Sequence, residues 1–502
     1  MSKFVDARGA RRLLGVLVLG VLGVLVAPTP IVRAQAPAPA GGVDPRIVKL
    51  LDSISEERMQ QLLAKLVSFG TRNTLSDAAS TTRGIGAARQ WIYDELKRSS
   101  PKLQVSFDTH QIPARARITR DVELRNVMAV LPGKSPRRIY VSGHYDSLNL
   151  GAGGQQTSNS GRGAQGASGA QSAQTRPGAA AQAPGEPAAP PSQTATTDPQ
   201  LRPGQDYNID APGANDDGSG TVLSMELARV FAESGIEFDA TLVFITVAGE
   251  EQGLIGAGAH AKAAKAANVP IQAWFNNDIV GGSRGGDGSV DGATVRVYSE
   301  GPEDSPSRQL AMFAARVGAI YVPSHRIRLM ARADRFSRGG DHSALTAEGF
   351  AAIGFRESKE NYARQHGPND TLDGVDYRYL AQNARLNAAA MATLALAPPP
   401  PVVVRRAATG RLTPTLDRRP SGYDAHLRWE ASPGAAGYRV FWRNAWAPDW
   451  EHELAVGNVT EYTFPKMNID DWVFGVAAAD ALGHESTVSV YVAPPRVTDG
   501  GA

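Results

Sequence analysis

Short apolar runs alternate with stretches of helical periodicity through the central part of the chain. The runs predict strands, because a few apolar residues bounded by turn residues are typical of strands buried on both faces. We expect these strands at residues 139–143, 241–248, 273–278, 295–298 and 351–355. Strands that alternate with helices predict an α/β fold with a mostly parallel central sheet and helices on both faces.

Apolar residues at helical spacing predict the remaining elements of this domain. Towards the amino end we expect helices at residues 47–69 and 85–98, followed by strands at 103–112 and 126–131. The helices between the central strands are expected at residues 220–233, 254–267, 307–319, 342–348 and 377–396. We therefore assign residues 45–397 to one domain.

The pattern changes after a run of four prolines at residues 398–401. We interpret residues 398–415 as a stiff linker. Residues 416–496 are predicted to form a small all-β sandwich, because short alternating runs there are separated by turn residues. The predicted strands are residues 425–429, 437–442, 462–464, 472–477 and 487–492.

Within this sandwich, Trp429, the segment Tyr438-Arg439-Val440 and residues 473–477 resemble a fibronectin type III domain. Two further tryptophans, Trp446 and Trp450, leave two interpretations open. They mark a binding face, or they pack on the sheet or the linker.

The amino end has the pattern of an export signal. Four basic residues precede an apolar run at residues 13–27, and Val32-Arg33-Ala34 is a small-residue cleavage site. We predict a signal peptide at residues 1–34, a Pro/Ala-rich linker at 35–44, and a periplasmic or secreted protein. A retained anchor is the alternative, and Arg11-Arg12 leaves the Sec and twin-arginine routes both open. No other run is long enough to span a bilayer.

Charge and cysteine content narrow the expected partners and the means of stabilising the fold. Among 502 residues, 52 Lys and Arg against 50 Asp and Glu give a net charge of +2, which gives no reason to expect a nucleic-acid partner. The chain has no cysteine, so its core and any bound metal must hold it without disulfides. The sequence makes no prediction of oligomeric state.

Residues 150–203 consist almost entirely of Gly, Ala, Ser, Gln, Pro and Thr. Such a composition cannot bury enough apolar surface to offset the entropy lost on ordering. We predict a disordered surface insertion, either a bystander or a lid that controls access of substrate.

Five segments carry side chains that bind metals, and most of them follow a predicted strand. The carboxyl ends of parallel strands meet at one edge of a sheet, where active sites form. Imidazoles and carboxylates without thiolates suit zinc or a similar divalent ion. The residues are His144 and Asp146 in GHYDS, Asp216 and Asp217 in NDDGSG, Glu250 and Glu251 in GEEQGL, Asp278 in NNDIVGG, and His366 in RQHGPNDT.

Spacing indicates a role for some of these residues. His144 and Asp146 lie two apart and leave the same face of a strand, so Asp146 can hold the second ring nitrogen. Asp216 can give one oxygen to each of two metals, although the turn around it also resembles a helix cap. Glu250 and Glu251 point in opposite directions, which suits one ligand and one general base.

Taken in order, the segments resemble the exported zinc aminopeptidase and glutamate carboxypeptidase family. Its pattern runs H-x-D, D-D-G-S-G, E-E-x-G-L-x-G, N-x-D-x-x-G, S-D-H and H-T-x-x-D-T, and the match covers roughly residues 43–398 without the insertion. The resemblance implies two Zn²⁺ per chain. His144 and Asp278 would hold one ion, Glu251 and His366 the other, and Asp216 would bridge both.

The same resemblance implies further roles. Glu250 becomes the general base, and Asp146 the catalytic partner of His144. Supporting residues would be Asp217, Asp341 and His342. A cis peptide is implied between Asp216 and Asp217.

Three positions depart from the family pattern. Gly340 replaces the serine of S-D-H, Gly367 replaces the threonine of H-T-x-x-D-T, and Gln365 stands where some members have a tyrosine that steadies the oxyanion. Tyr362, Arg364 or the metal itself would have to take over the role of that tyrosine.

We therefore expect a metallopeptidase acting on peptides, most simply an aminopeptidase that releases amino-terminal residues. A carboxypeptidase of the same family would need a cationic pocket, for which five arginines are available. A one-zinc glutaminyl cyclase and a non-catalytic binding protein are the remaining alternatives. The arginines are Arg332, Arg335, Arg338, Arg356 and Arg364.

Overall fold

The computed structural model describes residues 43–150, 206–336, 338–407, 410–419 and 421–492. The predicted signal peptide lies outside these ranges, as do residues 151–203 of the predicted insertion. Within the described ranges, no helix has the length and apolar character needed to cross a membrane.

An eight-stranded sheet forms the centre of the fold, in the order β1-β2-β4-β3-β5-β8-β6-β7. The four neighbouring strands β4, β3, β5 and β8 are parallel, whereas β2 and β6 run antiparallel to their inner neighbours. The predicted mostly parallel α/β sheet is therefore confirmed. The strands are β1 Gln104–Ile112, β2 Val122–Leu131, β3 Ser135–His144, β4 Ala240–Val247, β5 Ile271–Asn277, β6 Thr294–Ser299, β7 Arg326–Met330 and β8 Ala352–Glu357.

Helices cover both faces of the sheet. Side chains alternate along each central strand, so Ile139 and Val141 join one apolar core while Tyr140 joins the other. On that second face Tyr140 stacks on Trp274 at 4.6 Å between ring centroids, beneath α5 and α7. The helices are α1 Pro45–Asp52, α2 Glu56–Val67, α3 Gly84–Ser99, α4 Ser219–Glu233, α5 Ile255–Ala266, α6 Pro306–Tyr321, α7 Asp341–Ala347 and α8 Tyr377–Leu396.

In the α/β domain, one predicted helix is wrong and one strand was missed. The single helix expected at residues 47–69 is two helices, because the Ser55 hydroxyl accepts a hydrogen bond from the Arg58 N–H at 3.1 Å and starts α2 anew. Strand β7 was not predicted, since it pairs only with β6 at the edge of the sheet and is at most half-buried. An edge strand needs no continuous apolar run.

Residues 404–490 form antiparallel sheets, which we call the C-terminal β unit. A three-stranded sheet, β11-β12-β15, and a four-stranded sheet, β14-β13-β16-β17, share one apolar core that includes Leu427, Val440 and Phe474. The small all-β region is thus present, but the expected linker at residues 398–415 contains two paired strands, Val404–Arg406 and Leu412–Pro414. The strands Leu416–Arg418 and His452–Gly457 were not predicted. The strands of the C-terminal β unit are β9 Val404–Arg406, β10 Leu412–Pro414, β11 Leu416–Arg418, β12 Ala425–Arg428, β13 Gly437–Asn444, β14 His452–Gly457, β15 Glu461–Phe464, β16 Trp472–Ala479 and β17 Ser489–Val490.

The C-terminal β unit makes polar contacts with the α/β domain. Buried His484 places Nε2 3.0 Å from Oδ2 of Asp44, the residue that caps α1. The indole N–H of Trp450 donates to the side-chain oxygen of Gln309 at 3.0 Å. Trp450 is therefore a packing residue, whereas Trp446 is 77% exposed.

The Asp44 contact generates a pH-dependent prediction. Burial alone would raise the pKa of Asp44, but hydrogen bonds from the Arg46 side chain and backbone outweigh it and lower that pKa from 3.8 to about 2. A depressed pKa means that ionised Asp44 stabilises the fold above its unfolded pKa. That contribution is lost as the pH falls through the folded pKa.

We expect Asp44→Asn to lower the free energy of unfolding by about 1–2 kcal/mol near pH 6, because charged hydrogen bonds are lost. The difference from the wild type should shrink between about pH 4 and about pH 2. Urea unfolding across this range measures it, with Asp52→Asn on the exposed end of α1 as the control. A difference independent of pH would contradict the assignment.

Candidate metal centre

The carboxyl ends of three adjacent parallel strands supply most of the predicted metal ligands. His144 ends β3, Glu250 and Glu251 follow β4, and Asp278 follows β5. Asp216 lies on the turn Ala214–Gly218 that precedes α4, where its own backbone is not helical. With His366 from the loop after β8, the structure brings all five predicted ligands together.

Asp216 occupies the middle of the cluster. One of its oxygens, Oδ1, lies 3.3 Å from Nε2 of His144, which is also 3.8 Å from Oδ1 of Asp278. The other, Oδ2, lies 3.0 Å from Nε2 of His366, which is also 3.2 Å from Oε2 of Glu251. Two adjoining groups of donors therefore share one carboxylate.

The two adjacent glutamates face different parts of the site. Glu251 turns towards His366 and its side chain is only 3% exposed. The Glu250 side chain is 15% exposed, and its Oε2 lies 3.9 Å from Nε2 of His144. Glu250 is thus the glutamate that a water molecule entering the site can approach.

The donor set fits zinc. Nε2 of His144, Oε1 of Glu251 and Oδ1 of Asp278 are buried atoms without a hydrogen-bond partner among the described residues. Three donors from His144, Asp216 and Glu251 lie within 4.8 Å of one another, as do three from His144, Glu250 and Asp278. Buried nitrogen and oxygen atoms that lack donors are what a divalent ion satisfies.

The charges of the cluster also favour a cation. Burial alone would lower the pKa of His144, but the Glu250 and Asp216 carboxylates raise it well above its usual value. Glu251 and Asp216 likewise outweigh burial and raise the pKa of His366. The carboxylates therefore attract positive charge to the imidazoles, and metal binding would displace those protons.

Asp146 holds two parts of the site at once. Its backbone oxygen lies 3.2 Å and its Oδ1 3.5 Å from Nδ1 of His144, so the predicted contact with the second ring nitrogen is present. Its carboxylate also accepts the N–H groups of Glu250 at 3.3 Å and Glu251 at 3.2 Å, and the hydroxyl of Thr74 at 3.2 Å. Asp146 thereby fixes the loop that carries both glutamates.

Asp217 supports the neighbouring loop. It accepts the N–H of His144 at 2.9 Å and that of Gly220 at 2.8 Å. The peptide between Asp216 and Asp217 is cis, as the resemblance implied. Position 220 requires glycine, since a Cβ atom there would lie 2.1 Å from the Asn277 carbonyl oxygen.

Asp341 and His342 are the first two residues of α7. Burial, together with Asp146 and other carboxylates, raises the pKa of Asp341 to about 8. His342 places Nε2 2.9 Å from the Ala333 carbonyl oxygen. Neither joins the donor groups described above, which agrees with a supporting position.

Sequence reasoning missed Arg72, which is fully buried beside the site. Its guanidinium donates to the carbonyl oxygens of Tyr145, Pro212 and Gly213 at 2.6–2.8 Å. It therefore ties the loop after His144 to the loop before Asp216. A single arginine in a turn carries no motif that could have revealed this.

Asp370 was also missed, although a signal existed. Its carboxylate accepts the N–H groups of Asn215 at 3.0 Å and Asp216 at 2.8 Å, which holds the shared ligand in place. Burial and the Asp216 carboxylate raise the pKa of Asp370 to about 7. Asp370 is the aspartate of H-T-x-x-D-T, so the motif that located His366 contained it.

Comparison with known proteins identifies the class. Residues 196–391 match the model of Peptidase family M28. A probable zinc metalloprotease of Leptosphaeria maculans is 33% identical over 493 residues, covering 91% of this chain and 98% of that one. A probable zinc metalloprotease of Pyricularia oryzae is 34% identical over 501 residues, covering 92% and 86%.

The fold, the donor set and these relatives define a zinc metallopeptidase. The chain belongs to Peptidase family M28. Among solved structures, LapB from Legionella pneumophila overlaps with a TM-score of 0.49 at 19% identity, covering 72% of this chain and 78% of that one. That overlap is too distant to bear on the reaction.

Removal of zinc should destabilise the protein, because an ion that binds only the folded chain contributes about 2.7 kcal/mol at 100 times its Kd. We expect a chelator to lower the melting temperature in calorimetry and added zinc to restore it. Asp216→Asn should lose most of this zinc-dependent increment. Asp417→Asn, in the C-terminal β unit, should retain it, and a melting temperature indifferent to chelation would contradict the site.

Proposed function

We propose that the protein is a two-zinc metallopeptidase and that it acts as an aminopeptidase on peptides. The observation that carries the proposal is the position of Asp216, which directs one oxygen to His144 and the other to His366. A carboxylate placed in this way can hold two ions side by side.

In this proposal His144 and Asp278 hold one ion, Glu251 and His366 hold the other, and Asp216 contacts both. Bound zinc supplies Lewis-acid chemistry and activates water for hydrolysis. The chain's own contribution is to fix these five side chains at the end of a rigid sheet. Preorganised charge of this kind needs no rearrangement during the reaction.

Glu250 is the proposed general base. Its side chain is 15% exposed, and its Oε2 lies 3.9 Å from Nε2 of His144, so it lies beside the proposed ligands and can be approached by water. A carboxylate within hydrogen-bond reach of the attacking water can take its proton. Glu250 would take a proton from the attacking water and pass it to the departing amine, while Asp146 holds the Glu250 backbone in position.

An aminopeptidase must also bind a free α-amine. A cavity of about 240 Å³ adjoins Asp216, and buried Glu357 and Asp370 line it. Carboxylates bind ammonium groups by charge-assisted hydrogen bonds. Glu250 and Asp278 are candidates for this contact by their proximity to the proposed metals, and the cavity offers space for the first residue of the substrate.

A carboxypeptidase is the second candidate, and a specific observation favours it. Of the five arginines considered above, Arg335, Arg338 and Arg356 line a small pocket beside Asp278. Guanidinium groups there suit a terminal carboxylate. The other two do not line this pocket: Arg332 stacks on Phe336 at 3.6 Å, and Arg364 pairs with Asp373 at 2.6 Å.

We also propose that the protein is exported and that its C-terminal β unit is a fibronectin type III-like domain. Export rests on the basic and apolar pattern of residues 1–34. The domain proposal is supported by the two antiparallel sheets of three and four strands around a common core.

Glu250→Gln tests the proposed base and the metal count together. The variant should still contain two zinc ions per chain by elemental analysis, because Glu250 is not a proposed ligand. Its kcat on an aminoacyl anilide should fall by about 10²–10⁴.

Glu237→Gln, at a side chain that is 81% exposed, is the matched control and should keep both zinc and activity. Near-normal kcat in Glu250→Gln would refute the role of Glu250. One ion per chain in the wild type would refute the two-zinc site and would favour a one-zinc cyclase.

Blocking one end of the peptide substrate at a time distinguishes an aminopeptidase from a carboxypeptidase. Acetylation of the peptide amine should abolish cleavage, since the α-amine would no longer carry a charge. Amidation of the carboxyl end should leave the rate nearly unchanged. The opposite result, measured by chromatography of the released residues, would replace the aminopeptidase with a carboxypeptidase.

A further inference from the structure

Arg356 lies on β8 next to the candidate metal centre, and its side chain is 6% exposed. Its Nη2 donates a short hydrogen bond to Oδ2 of Asp278. The other oxygen of Asp278, Oδ1, has no hydrogen-bond partner among the described residues and lies 3.8 Å from Nε2 of His144. One oxygen is therefore held by the protein and the other is directed into the site.

Glu360 is the second carboxylate close to Arg356. Its carboxylate is 1% exposed and lies 2.5 Å from the guanidinium groups of Arg296 and Arg335, and 3.7 Å from Nη1 of Arg356. The Gln365 side-chain N–H also donates to Oε2 of Glu360 at 3.1 Å. Glu360 is thus held on several sides and cannot easily change its position.

These contacts connect the two halves of the site. Gln365 immediately precedes His366 in the chain. A continuous path of charged and polar contacts therefore runs from Asp278 through Arg356 and Glu360 to the residue beside His366.

Gly340 leaves room for the contact between Arg356 and Asp278. A Cβ atom at this position would lie 3.1 Å from Oδ2 of Asp278, the same oxygen that Arg356 contacts. The family pattern has a serine here, and its side chain would stand against this oxygen. The glycine of this chain leaves Oδ2 to the arginine.

We propose that Arg356 is a positioning residue that fixes Asp278 as a one-oxygen metal ligand. Glu360 links the position of Arg356 to the loop that carries His366. The inference rests on the proposed role of Asp278 as a zinc ligand. A guanidinium suits the task because its planar fork directs several N–H donors in fixed directions and can hold two carboxylates in one geometry, whereas the three donors of an ammonium group rotate freely.

Arg356→Met and Arg356→Lys test the proposal. We expect the Met variant to bind one of its two zinc ions about 10–100-fold more weakly than the wild type, as is usual when the partner of a metal ligand is lost. Competition with a chromophoric chelator measures the affinity. The visible spectrum of the cobalt-substituted protein should also change, because Asp278 can then bind through either oxygen.

Arg356→Lys keeps the charge but not the fork, so its zinc affinity should still fall by about 10-fold. This variant decides the question if the Met variant does not fold. Wild-type zinc affinity together with an unchanged cobalt spectrum in a folded Arg356 variant would overturn the proposal. Failure of the two-zinc site itself would already be visible in the titration of the wild type.

Arg439→Met is the matched control. Arg439 is 10% exposed and contacts two carboxylates, Glu453 at 2.7 Å and Glu485 at 2.6 Å, within the C-terminal β unit. Its loss removes a buried arginine between two acids just as Arg356→Met does. We expect unchanged zinc affinity and an unchanged cobalt spectrum. If Arg439→Met lost as much zinc affinity as Arg356→Met, the effect would come from general destabilisation, and the proposal would be wrong.

Discussion

Like-charge repulsion in a buried space is the constraint that shapes this protein. Several carboxylates meet at the end of the sheet, where burial makes each negative charge costly. Burial therefore raises the pKa of groups such as Glu250 and Asp217. The opposite charge is supplied by the imidazoles, by the buried arginines Arg72 and Arg356 and, in the proposed enzyme, by zinc. The carboxylates are Asp146, Asp216, Asp217, Glu250, Glu251, Asp278, Asp341 and Asp370.

The same carboxylates give the site its rigidity. Asp146 holds the backbone of the loop with the two glutamates, Asp217 holds the backbone of His144, and Asp370 holds the backbone of Asp216. Each of these three segments is thus fixed by an acidic side chain from another segment. Positions set by such cross-connections are strongly coupled, because the loss of one carboxylate frees a ligand that belongs to a different segment.

Local patterns predicted the sheet and the side chains that meet at its end, because apolar runs locate the strands and short motifs follow their ends. The proposed metal ligands among them were implied by the family resemblance. The missed features depend on contacts between distant segments. Strand β7 lacks an apolar run, and a serine cap divides the first predicted helix in two. Arg72 and Arg356 are single residues without a motif. Arg356 was recognised only as one of five arginines, and its contact with Asp278 could not be deduced from spacing.

The contact between Asp44 and His484 bears on the order in which the protein is made. These residues are 440 positions apart, so the residue that caps α1 meets its partner only after the ribosome has synthesised the segment between them. All the proposed metal ligands and all eight strands of the central sheet precede residue 367. A nascent chain thus contains all the proposed metal ligands before it contains the residue that contacts Asp44 at the start of α1. Synthesis of the C-terminal β unit would add this contact after the chemical groups of the proposed site are already present.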